Sequence, residues 1–205
     1  MAAEETPNIV RGSDMYYYID EPSEKTRYLY LDTYMCTDNS DHTGDPEMVK
    51  FVVSALNGVQ AGWHVVAISH IWWLYSNTNN ISTGAFPAYC KQLLDIFDAY
   101  NARRSGSVTV QKTSVSVSYN FANGAGKVEF CIGGHTHADQ DFTSTGGIPI
   151  ILTETASYHI RSGLACETGK ITETSVSGII AGYDNGYINI IRAGRGSSRI
   201  VPLKI

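Results

Sequence analysis

The stretch "VEFCIGGHTHADQDF", Val128 to Phe142, runs from an apolar segment through two glycines to two histidines one residue apart. Val128, Phe130, Cys131 and Ile132 predict a strand. Gly133 and Gly134 let the backbone turn and approach a neighbour closely, where a β-carbon would intrude. His135 ends that strand and His137 comes two residues later. In an extended or turning segment, residues i and i+2 face the same side with Cα atoms about 6–7 Å apart. Such a spacing suits one ligand to each of two ions held about 3.5–4 Å apart.

A third histidine, His70, closes the run "HVVAISH", whose continuous apolar character predicts a strand buried on both faces. In open α/β sheets, ligands bind at the carboxyl ends of the strands. His70, His135 and His137 are therefore the candidate metal ligands. A single histidine after a strand is more often a hydrogen-bonded surface or core residue. A pair after two glycines, joined by a third at another strand end, favours metal. His64 opens its strand, and His42 and His159 lie in polar loops; these three read as structural.

Outward from this centre, "MYYYI" and "RYLYLDT" read as a hairpin, after a polar leading segment over residues 1–14. Asp45 and Pro46 supply an N-cap and a first helical position. The helix they start has Met48, Val49, Val52, Leu56 and Val59 at helical spacing. "AYCKQLLDIFDAYNARR" is a second amphipathic helix, with Leu93, Leu94, Phe97 and Tyr100 inward. "SVTVQKTSVSVSYNF" alternates, as an exposed excursion or a hairpin would. "IPIILTETA" is a further strand, and "ETSVSGIIAG", "YINIIRAG" and "RIVPL" form an antiparallel meander around the turn "YDNGY". The order predicts an α/β fold with a mixed sheet and an antiparallel C-terminal meander, in one domain over residues 1–205.

Of the residues, 43% are hydrophobic and 17% charged, as in an ordinary globular protein. The net charge of −5 argues against a surface that coats nucleic acid. Cys36, Cys90, Cys131 and Cys166 form no CxxC pair, so they read as free thiols in a reducing compartment. No signal-peptide core or membrane-spanning run is found, which makes the cytoplasm the expected location.

With "VVAISH" followed by "GGHTHAD", the chain resembles the C-terminal half of the calcineurin-like metallophosphoesterases, in detail the members carried by phages and prophages. "RYLYLDT", the Pro-initiated helix and the tail "YINIIRAGRGSSR" fall in the expected sequence. The resemblance covers nearly the whole chain. It implies a sandwich of two β-sheets flanked by helices, with two divalent ions (Mn, Fe or Zn) at the carboxyl ends of the strands. His70 and His135 would serve one ion and His137 the other. A hydroxide bridging the ions would attack the phosphorus of a phosphate mono- or diester.

The resemblance also implies three earlier motifs that these residues lack: Asp-x-His, a Gly-Asp after the next strand, and Gly-Asn-His-Asp or Glu. Gly44-Asp45 reads as a helix cap instead, and Asp32 is not a ligand in the family pattern. The expectation is half of a metallophosphoesterase domain, completed by upstream sequence or by a partner chain. Taken alone it would hold metal weakly or not at all. A half-sandwich would also expose an apolar face, which a homodimer would cover. The expected partner is a phosphorylated substrate, with nucleic acid entering only as substrate and no membrane involved. The alternative is a non-catalytic remnant, or a binding or structural module of a phage particle. Trp72 and Trp73, beside the His70 strand, read as core residues before they read as a surface for a base or sugar. An amidohydrolase barrel is excluded because too few residues come after the histidine pair, and "NGAGKV" lacks the first glycine and the Ser/Thr of a P-loop.

Overall fold

A computed structural model describes residues 8–33, 45–70, 72, 88–110, 113–134, 139–153, 175–194 and 197–203. The chain is α/β. One seven-stranded sheet has the order β1 (Asn8–Arg11), β2 (Tyr16–Glu21), β3 (Thr26–Leu31), β4 (His64–Ile68), β7 (Lys127–Gly133), β9 (Pro149–Leu152) and β8 (Gln140–Thr143). Its centre is parallel, β3 to β4 to β7 to β9, and its margins β1, β2 and β8 are antiparallel. The sheet is thus mixed, as expected.

The helices α1 (Pro46–Asn57) and α2 (Ala88–Asn101) lie on one face of the sheet. Helix α1 starts where Asp45 accepts a hydrogen bond from the Glu47 amide at 2.9 Å, with Pro46 in its first turn. Met48, Val52 and Leu56 pack with Leu93, Phe97 and Tyr100 over Leu29, Val65 and Ile150. The alternating stretch after α2 is a hairpin, β5 (Ser105–Thr109) with β6 (Ser116–Asn120). It is not wholly exposed: Val117 and Phe121 join this same core.

The second face carries the meander: β10 (Ser175–Gly182), β11 (Tyr187–Gly194) and β12 (Arg199–Pro202), antiparallel throughout. Ile188, Ile190, Val201 and Leu203 pack on Val66, Phe130 and Ile151. Three layers result, with helices and hairpin outside, the large sheet in the middle and the small sheet opposite. The face expected to lie bare is therefore covered over β4, β7 and β9. Tyr17, Ile19, Tyr28 and Tyr30, farther out on β2 and β3, stay half-buried.

Two expectations need correction. The leading segment is not wholly irregular, because Asn8–Arg11 pairs with β2. Gln140–Thr143, which carried no strand signal, pairs with β9. Both are four-residue strands at the sheet margins, held by backbone bonds without a buried face, so no hydrophobic pattern announces them. Cys131 is buried in β7, as its apolar run in the sequence suggested. Among the described residues no helix is long and apolar enough to cross a membrane.

Candidate functional site

The parallel strands β3, β4, β7 and β9 all end on one edge, and their backbones stay bonded for a residue beyond the strands. The Ser69 amide donates to the Ile132 carbonyl at 3.0 Å, Gly134 to His70 at 3.0 Å and Thr153 to Gly133 at 2.9 Å. The Asp32 amide donates to the Met15 carbonyl at 2.9 Å. The hydroxyls of Thr33 and Ser69, both buried, sit 2.5 Å apart and tie the end of β3 to that of β4. His70 thus leaves a rigid strand end with its side chain exposed.

Two local devices set this edge. In β4 and β7, Val65 faces Val128 but Val66 faces Phe130, so Glu129 is an extra residue in the ladder. This bulge shifts the side-chain phase of everything after it in β7. Phe130 turns to the small sheet and Cys131 to the helices. Gly133 then falls beneath the Trp72 ring, where a β-carbon would lie 2.6 Å from the Ser69 carbonyl oxygen and 2.8 Å from Trp72 Cδ1. Trp72 itself donates from Nε1 to the Ile132 carbonyl at 2.8 Å and packs on Phe97. It is a core residue, as its sequence reading preferred. Trp73 lies outside the described residues.

Of the three candidate ligands, the structure describes His70 at the carboxyl edge; His135 and His137 lie outside the described residues. The chain is described again from Asp139. The buried Asp139 carboxylate pairs with Arg192 of β11, and with Arg199 of β12 at 2.9 Å. Arg199 also grips Asp141 with Nε at 2.9 Å and Nη2 at 3.0 Å, and donates to the Leu152 carbonyl at 3.0 Å. Burial opposes the charge on Arg199, but its bonds and attraction to Asp141 and Asp139 outweigh that and raise its pKa above the ordinary value. Sequence reasoning missed these arginines. "YINIIRAGRGSSR" entered it only as a tail in the right order, and single arginines on separate strands carry no spacing signal.

His64 stands at the opposite, amino edge. Its Nδ1 lies 2.8 Å from Glu129 Oε1, and its ring stacks on Tyr183 at 3.9 Å. Lys127 Nζ reaches the other Glu129 oxygen at 2.9 Å. This cluster joins the small sheet to the large one, so the structural reading of His64 stands.

Among the described residues no group of three or more His, Cys, Asp or Glu side chains is placed to hold a metal ion. The carboxyl edge presents the exposed imidazole of His70 at a strand end, with Asp32 at the end of the neighbouring strand β3. An imidazole suits borderline divalent ions such as Zn, Mn or Fe better than Ca. Compared with protein-family models, with curated proteins and with solved structures, the chain matches none.

Proposed function

We propose that the chain carries the histidine half of a two-metal phosphoesterase centre of the calcineurin-like kind, acting on phosphate mono- or diesters. The observation that carries this reading is the bond from the Gly134 amide to the His70 carbonyl at 3.0 Å. It fixes the residue before His135 beside His70, across the ends of two parallel strands. In this reading His70 and His135 bind one ion and His137 the other. Such ions, when bound, supply a hydroxide near neutral pH and stabilise charge on phosphate oxygens. The chain's own task is to hold the imidazoles in fixed directions. The Thr33–Ser69 pair and the Gly133–Thr153 bond serve that task from below, by locking the strand ends together.

A second reading is a non-catalytic binding or structural module. Calorimetric titration with Mn(II) or Co(II), alongside hydrolysis of bis(p-nitrophenyl) phosphate, separates the two. His70→Ala, His135→Ala and His137→Ala are each expected to weaken metal binding at least tenfold. His70→Ala should do so without loss of stability, since that side chain is exposed. Metal binding without turnover would favour the module, and affinities untouched by all three substitutions would sink the metal reading.

A further inference from the structure

We infer that the cleft between the two sheets is a binding site for a small amphiphilic amine, an apolar chain with a protonated amine at its head. None of the residues involved is a candidate metal ligand, so this site and the metal reading stand or fall separately.

The cleft follows from strand register. Val66 and Ile68 alternate along β4 onto the face that meets the small sheet. The bulge at Glu129 brings Phe130 opposite Val66 and Ile132 opposite Ile68, and Tyr28 of β3 flanks Val66 from the other side. The small sheet closes over this face at β11, where Ile188 and Ile190 are fully buried. Its margin is β10, and there Ile179 and Ala181 do not complete the seal. These side chains line a cleft of about 520 Å³. Val66 and Phe130 are buried in its wall, whereas Ile68, Ile132 and Ile179 stay half-buried. Protein interiors leave few voids larger than one water molecule, so a gap of this volume between apolar walls is no packing flaw. It has the size and the lining of a small-molecule site.

Glu24 decides the charge of the ligand. Among the described residues bordering the cleft it alone is charged, and it is exposed. Its Oε2 accepts from the Tyr28 hydroxyl at 2.5 Å, a bond that engages one of its two oxygens. The Tyr183 hydroxyl is bonded with Thr26. With both phenol hydroxyls engaged, the two tyrosines offer a ligand their rings, whose faces attract a cation. Past Glu24 and Tyr183 is a polar recess at the amino edge. There Lys25 and Asp184 offset each other, and His64 is paired with Glu129.

The test titrates butylamine, hexylamine and octylamine, then octanol and octanoate, into the full chain at pH 7. Calorimetry gives the affinities and isoleucine methyl NMR gives the place. Affinity is expected to rise about threefold to fourfold per methylene along the amines, as each leaves water. The methyl signals of Ile68, Ile132 and Ile179 should move, and that of the exposed Ile9 should not. Octanoate should bind more weakly than octylamine. Glu24→Gln should cut octylamine affinity about fivefold and leave that of octanol unchanged, as expected for one exposed charge. Ala181→Phe, which fills the cleft, should abolish binding of every chain. Should that variant fail to fold, the chain-length series and the methyl shifts decide. Affinities independent of chain length, or shifts that miss the three isoleucines, would overturn the site. Equal binding of octylamine, octanol and octanoate would overturn the preference for a cation, and no binding at all would overturn both.

Discussion

Gly133 and Gly134 look alike in sequence, and both read as places where a β-carbon would intrude. The structure separates them. At Gly133 the added carbon meets the Ser69 carbonyl oxygen and the Trp72 ring below 3 Å, whereas at Gly134 its nearest neighbour among the described residues is the Thr153 carbonyl oxygen at 4.0 Å. Backbone cannot step aside as a side-chain tip can, so the crowding at Gly133 must strain the join between β4 and β7. Gly133→Ala is expected to destabilise the fold by about 1–3 kcal/mol, the usual cost of overpacking. Gly134→Ala should change stability little. Urea denaturation of both variants checks this, and equal midpoints would show that Trp72 moves freely.

Among the elements, β3 is held most unusually. Arg27 is 4% exposed, yet it grips both oxygens of Asp20 in β2 at 2.7 and 2.6 Å. It also donates to the Ala55 carbonyl in the last turn of α1 and lies 3.7 Å over the Tyr18 ring. One guanidinium thus joins two strands and a helix end. Arg27→Met keeps the volume but strands a partly buried carboxylate and a helix carbonyl, so it should cost about 3 kcal/mol in urea unfolding. Arg27→Met combined with Asp20→Asn should recover part of that loss, and a double variant no better than the single would count against the pairing account. The sequence read "RYLYLDT" as a strand from its tyrosines and leucines, with nothing to mark its arginine as interior. Helix α1 was legible in full because its cap, its proline and its apolar spacing are local signals. Strands β1 and β8 were not, since only a neighbour's backbone makes them strands.

At the scale of the molecule, the small sheet meets the large one through an apolar seam and a tyrosine-rich margin. Burial raises the pKa of Tyr183, despite a hydrogen bond with Thr26 that lowers it. Burial, then Glu24, raise that of Tyr28. An unfolded chain ionises its tyrosines near pH 10. Above that, these two keep their protons in the folded state while the unfolded state gives them up. Stability present below about pH 10 should therefore fall as pH climbs toward the folded-state values. Urea midpoints at pH 8 and 10.5 measure the fall, and Tyr28→Phe with Tyr183→Phe should reduce it. A midpoint that does not move would mean the margin is wetter than its burial implies.

Local pattern alone determined the α/β class, both helices, the buried central strands and the antiparallel meander, because spacing and caps act over a few residues. It also marked His70 as a strand-end residue, and the structure places it there. Only the tertiary structure decided which strands are neighbours and that their carboxyl ends meet on one edge. The glutamate bulge that sets the phase of β7, and the arginines that reach Asp139 from the far sheet, emerged there too. Those features join residues far apart in the chain, and no short-range pattern records a contact that only packing creates.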